Sequence, residues 1–177
     1  MRRLLPILAL ALASCLPGDL ATTALPLLSN SADQEIDTSA DSATDLAFGD
    51  LNNDGWLDLY VGRLGDDTVY LNDGTGTLSA TPAWTSPFAS EDTYAVALGD
   101  WDGDRRLDVA IGGQQDPNGN AMRVLENTGG SGIFPTSSTT SAWSSGFSLG
   151  TADLEWGDVD GDGDLDLAMS GTTTGGQ

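Results

Sequence analysis

Three segments of this chain, residues 45–62, 95–112 and 153–170, align on one another without a gap. Each centres on a nine-residue loop of pattern Asp-x-[Asp/Asn]-x-Asp-x-x-Leu-Asp, opening at Asp50, Asp100 and Asp158. Recurrence at this spacing constrains the fold strongly, because each unit must bury one face against its neighbour. The flanks repeat as well. Gly49, Gly99 and Gly157 precede the loops, and Leu57, Leu107 and Leu165 precede each closing aspartate. Trp84 and Trp143 stand in similar Ala-Trp settings upstream of the following loop.

Each unit reads as β-structure. Before the loops, the pairs Leu46/Phe48, Val96/Leu98 and Leu154/Trp156 recur at period two. After them, Leu59/Val61, Val109/Ile111 and Leu167/Met169 do the same. Such alternation is the mark of strands half-buried on one face. Further strands are expected at 68–72 and 122–127, with glycine-rich turns after them. No stretch after residue 20 sustains a helical period. The fold class expected is all-β, with repeats long enough for about four strands each, as in propeller blades. Ala47, Ala95 and Ala97 suit an innermost strand crowded around a central channel. The units are expected at 44–92, 93–151 and 152–177, making two complete blades and the start of a third.

The loops carry the readable chemistry. Oxygen donors stand at positions 1, 3, 5 and 9: Asp50, Asn52, Asp54 and Asp58; Asp100, Asp102, Asp104 and Asp108; Asp158, Asp160, Asp162 and Asp166. The backbone carbonyl at position 7 (Trp56, Arg106 or Asp164) adds another. Such a set suits calcium, a hard cation that takes six to eight oxygens, better than magnesium, which keeps its waters. Glycine at position 6 (Gly55, Gly163) and glycine or asparagine at position 4 allow the positive φ of a tight turn. An EF-hand is excluded, because position 12 is Val61, Ile111 or Met169 and the flanks alternate as strands. Acidic turns that bind nothing are the plain alternative, and three aligned copies weigh against it. Arg105 replaces the position-6 glycine of the second loop, with Arg106 adding charge beside it. That site is expected to be the weakest, and to survive if Arg105 points outward.

Charge narrows the partners. The chain has 27 acidic residues against 6 arginines, no lysine, no histidine and a formal charge of −21. Nucleic acid is excluded as a partner, since phosphate binding needs basic patches. Without histidine no Ser-His-Asp triad, Cys-His pair or histidine zinc site can form. No enzyme activity is expected.

The N-terminus reads as an export signal. Arg2 and Arg3 precede an apolar run from Leu4 to Ala13, too short to span a bilayer. Residues 12–15 resemble a bacterial lipobox, which implies cleavage after residue 14 and lipidation of Cys15, the single cysteine. Plain secretion is the alternative. Contact with a membrane is expected only through this anchor, with residues 15–43 as a tether.

The stretch from Ala47 through the loop to Gly62, with the turn 72–76 after it, resembles the FG-GAP/VCBS repeats, the blades of integrin-α-like propellers. The resemblance covers 44–171, with Arg105 and Ser170 as departures. It implies calcium in the loop joining the first two strands of each blade, there to stiffen it. A closed propeller needs at least four blades, so further blades of a longer chain, or self-association, are expected. The functional expectation is a non-enzymatic binding or adhesion scaffold, displayed on a bacterial envelope, with a protein or glycan ligand. The propeller module of a larger polysaccharide-active enzyme and a structural surface spacer are the alternatives. Trp84, Trp101 and Trp143 would suit sugars if exposed, although packing between blades is the stronger expectation for them.

Overall fold

A computed structural model describes residues 42–88, 92–113, 122–130, 133–137, 141–145 and 150–172. Residues 1–41 lie outside that set, and with them the export signal, Cys15 and the tether up to residue 41. All ten described elements are strands. The first sheet is a meander of β1 (Ala43–Gly49), β2 (Asp58–Arg63), β3 (Thr68–Tyr70) and β4 (Trp84–Thr85). The second repeats it with β5 (Thr93–Gly99), β6 (Asp108–Gly113), β7 (Met122–Leu125) and β8 (Trp143–Ser144). A third sheet has two strands, β9 (Gly150–Gly157) and β10 (Asp166–Thr172). Every pairing is antiparallel, as expected of propeller blades.

The sheets share one register. Gly49 faces Asp58, Gly99 faces Asp108 and Gly157 faces Asp166, so each loop bridges the same ladder rung. Val69 faces both Tyr60 and Trp84, and Val124 faces both Ala110 and Trp143. Residues two apart on a strand share a face, and one face of the second sheet packs on the first sheet while the other packs on the third.

The core lies between sheets. The first sheet supplies Leu51, Tyr60, Val69, Trp84 and Phe88; the second answers with Val96, Val109, Ile111, Leu125, Ile133 and Phe134. Phe134 meets Tyr60 and Trp84 edge-on, with centroids 5.9 and 5.4 Å away, an arrangement that aligns ring edge with ring face. The Trp84 indole donates to the Pro135 carbonyl at 3.1 Å. Trp84 is therefore buried and unavailable to a sugar, which corrects the exposed alternative. The next interface joins Ala95, Ala97, Ala110, Met122 and Val124 to Leu154, with Trp101 and Trp156 packed beside them.

The first strands lie side by side, β1 against β5 and β5 against β9. This explains the small residues there, and the glycine before each loop. A Cβ on Gly49 would sit 2.7 Å from Leu107, and one on Gly99 would sit 2.7 Å from Trp156. At Gly157 nothing stands within 4 Å. The glycine is thus the seat of the next sheet's side chains.

Three expectations shift. The third strands end at Tyr70 and Leu125, short of 72 and 127. Asn72 and Asn127 leave the ladder because their N–H groups bind the carboxylates of Asp58 and Asp108 instead. The third unit begins earlier, since β9 opens at Gly150. The face of the first sheet that corresponds to the packed face of the second leaves Leu46, Phe48 and Leu57 exposed.

Candidate cation-binding loops

One pattern of hydrogen bonds builds all three loops. The carboxylate at position 1 accepts the N–H of position 6: Asp50 from Gly55 at 2.8 Å, Asp100 from Arg105 at 3.0 Å, Asp158 from Gly163 at 3.1 Å. Position 3 accepts from position 5, through Asn52, Asp102 and Asp160. Position 5 accepts from position 7, so Asp54, Asp104 and Asp162 hold the N–H groups of Trp56, Arg106 and Asp164. Local bonds of this kind let Asp and Asn shape a tight turn. The chain closes it with positive φ at positions 4 and 6: Asn53 and Gly55, Gly103 and Arg105, Gly161 and Gly163.

Position 9 does different work. Asp58 and Asp108 are fully buried. One oxygen of each accepts from position 2, Leu51 or Trp101, at 2.9 Å. The other accepts from Asn72 or Asn127 at 2.8 Å. These aspartates therefore brace the loop against the third strand's exit. Burial raises the pKa of both, and the neighbouring loop carboxylates push the same way, while the backbone donors oppose. Asp166 keeps the first of these bonds, from Val159 at 2.9 Å.

The carboxylates converge. One oxygen each from Asp100, Asp102 and Asp104 lies within 4.8 Å of the others, and the same holds for Asp158, Asp160 and Asp166. Backbone N–H groups bond both oxygens of Asp158, whereas Asp102 and Asp160 each accept one through a single oxygen. In the second loop Asp100 Oδ1 is sequestered from solvent with no hydrogen-bond partner. A buried, unpaired carboxylate oxygen is costly, and a bound cation would relieve that cost. The donor set is all oxygen, as a hard divalent cation requires. These residues can hold a metal ion.

Arg105 does not obstruct the loop. It adopts φ 72° at the position-6 seat, and its side chain is exposed. The arginine that reaches the ligands is Arg106, whose Nη2 pairs with Asp104 Oδ2. Both arginines were expected to place charge beside this loop, and the condition set for the site, that Arg105 point outward, is met. Sequence reasoning passed over Asn72 and Asn127, although both open an Asn-x-Gly turn after a third strand.

Residues 50–111 match the family model of the FG-GAP-like repeat. This stretch is an FG-GAP-like repeat. It runs from the opening aspartate of the first loop to Ile111 in β6, so it contains two loops and most of the first inter-sheet contact. A search of curated proteins found no match to the chain. The FG-GAP-like pattern recurs beyond the matched stretch, because the loop at Asp158 reproduces the same bonds.

Proposed function

We propose that this FG-GAP-like chain is a calcium-stabilised, non-enzymatic binding scaffold displayed on a bacterial envelope. The observation that carries the metal is the orphaned Asp100 Oδ1 of the second loop, whose counterparts in the other two loops accept the N–H groups of Asp54 and Gly161. Calcium would be held by positions 1, 3, 5 and 9 and the position-7 carbonyl. It would neutralise carboxylates that otherwise repel one another and would lock each β-hairpin to its neighbour. Affinity near ~10⁻⁴–10⁻³ M is expected, as for extracellular modules. The lipobox-like residues before Cys15 support envelope display, and the exposed Leu46, Phe48 and Leu57 suit a further blade as neighbour. Calcium titration calorimetry with melts in calcium and in EDTA tests the proposal. Binding steps and a higher Tm in calcium support it; no heat and an unchanged melt overturn it.

A glycan is the ligand chemistry favoured by one cleft. Trp101, Trp143 and Trp156, with Met122, Leu167 and Met169, line a space of about 380 Å³ between the second sheet and the third. Indole faces suit the apolar faces of sugar rings, and the volume lies in the range of small-ligand sites. Trp143 is 40% exposed there. Glycan-array binding by the calcium-loaded protein that Trp143→Ala abolishes would support this reading; silence of the array would leave a structural spacer.

A further inference from the structure

The side chain at position 7 has a built seat. In the first loop Trp56 lies over Gly74, where a Cβ would sit 3.3 Å from the indole Nε1. In the second loop Arg106 lies over Gly129, where a Cβ would sit 3.4 Å from its Cδ. Both glycines close an Asn-x-Gly turn in which the asparagine side chain accepts the glycine N–H at 3.0 Å. Both adopt positive φ, 81° and 70°. The same seat therefore holds an uncharged indole in one repeat and a guanidinium in the next.

The guanidinium is tied at two points. Arg106 Nε donates to the carbonyl of Asn127, and Nη2 pairs with Asp104 Oδ2. The equivalent oxygen in the first loop, Asp54 Oδ2, accepts the neutral amide of Asn52 at 2.9 Å. Asp104 is one of the three carboxylates that converge in the second loop. A charge-assisted pair with a fixed guanidinium is stronger than a neutral hydrogen bond.

We infer that Arg106 is a built-in counter-ion of the second loop, competing with a divalent cation for Asp104. The inference rests on the metal-binding reading of the loops. The second loop keeps its shape without metal because its own arginine neutralises part of its charge. Asp100 Oδ1 remains unpaired, so the loop still takes a cation, but more weakly than the loops at Asp50 and Asp158. The FG-GAP-like repeats of this chain thus form a graded set, in which the residue at position 7 sets metal dependence.

Arg106→Gln in the full chain tests this by calcium calorimetry and by melts in EDTA. The weakest calcium step should tighten about tenfold when the competing charge is removed. The gain should vanish in the Arg106→Gln/Asp102→Asn double variant, which assigns it to this loop. In EDTA, Arg106→Gln should melt below the wild type, whereas exposed Arg105→Gln should not. Arg106→Trp, copying the first loop, carries the test if the glutamine variant fails to fold. A weakest step unchanged or loosened while the other steps persist overturns the inference. An unaltered Tm in EDTA overturns it too. Absence of every calcium step in the wild type would instead overturn the proposed function, leaving the EDTA melts to judge the counter-ion.

Discussion

Asn127 donates its side-chain N–H to the carbonyl of Leu51 at 2.8 Å, joining two residues 76 positions apart. The same amide reaches Leu107 at 3.1 Å, and its oxygen accepts from Gly129. Its backbone N–H is held by Asp108. One buried asparagine therefore links the turn after β7, the loop of its own sheet and the loop of the preceding sheet. Asn127→Ala should cost about 2–3 kcal/mol, since it strands one buried and one part-buried carbonyl. Asn72→Ala, which loses the exposed bond to Leu57 and those from Gly74 and Gly76 but strands no buried carbonyl, should cost about 1 kcal/mol. Urea denaturation of the two variants measures the difference.

The position-9 and position-3 aspartates should separate under mutation. Asp108 is buried and holds two backbone donors, so Asp108→Ala should lose about 3 kcal/mol even in EDTA. Asp102 is exposed. Asp102→Asn should leave stability in EDTA within about 0.5 kcal/mol while weakening calcium binding. Paired melts with and without calcium check both outcomes.

Acid should stabilise one interface. Asp67 is buried and its carboxyl is pushed up to about 6, chiefly by burial, against the opposing bonds from Arg63, Tyr60 and Thr93. A raised folded-state pKa means that the native form binds the proton more tightly. The contribution is fully present below the unfolded value of 3.8 and is lost as pH rises through about 6. It amounts to roughly 2–3 kcal/mol. In EDTA, the pH slope of stability between those two values should flatten in Asp67→Asn. An identical slope in both proteins would contradict this.

The glycines before the loops should differ in tolerance. Gly99→Ala places a methyl 2.7 Å from Trp156, and such overpacking costs about 1–3 kcal/mol. Gly157→Ala meets nothing within 4 Å and should stay within about 0.5 kcal/mol of wild type. Thermal melts of both variants decide.

Much of the loop architecture was legible in the sequence. The spacing of Asp50, Asn52, Asp54 and Asp58 specified turns bonded from one carboxylate to a nearby N–H, and such bonds span at most seven residues. Alternation at Leu46/Phe48 and Val96/Leu98 placed the strands, because period two is fixed by the backbone. The brace from Asp58 to Asn72 spans fourteen residues and depends on where the third strand leaves the ladder. No local pattern carries that.

The sequence by itself determined the repeat, the strand faces and the carboxylate set of each loop, all properties of the chain within a few residues. Only the tertiary structure decided what covers each face and which charge meets which. Trp84 and Trp143 stand in matching contexts and pair with matching valines, yet they are 4% and 40% exposed. Phe134 and Pro135, from the segment between β7 and β8, cover the first of them. Among the described residues the third sheet has two strands, and no equivalent ring covers the second. Arg105 and Arg106 are adjacent and identical in type. The left-handed backbone at Arg105 leaves its side chain exposed, while the seat over Gly129 carries Arg106 to Asp104. A contact within the second unit made that choice, because the seat over Gly129 and the Asn127 carbonyl lie more than twenty residues beyond Arg106.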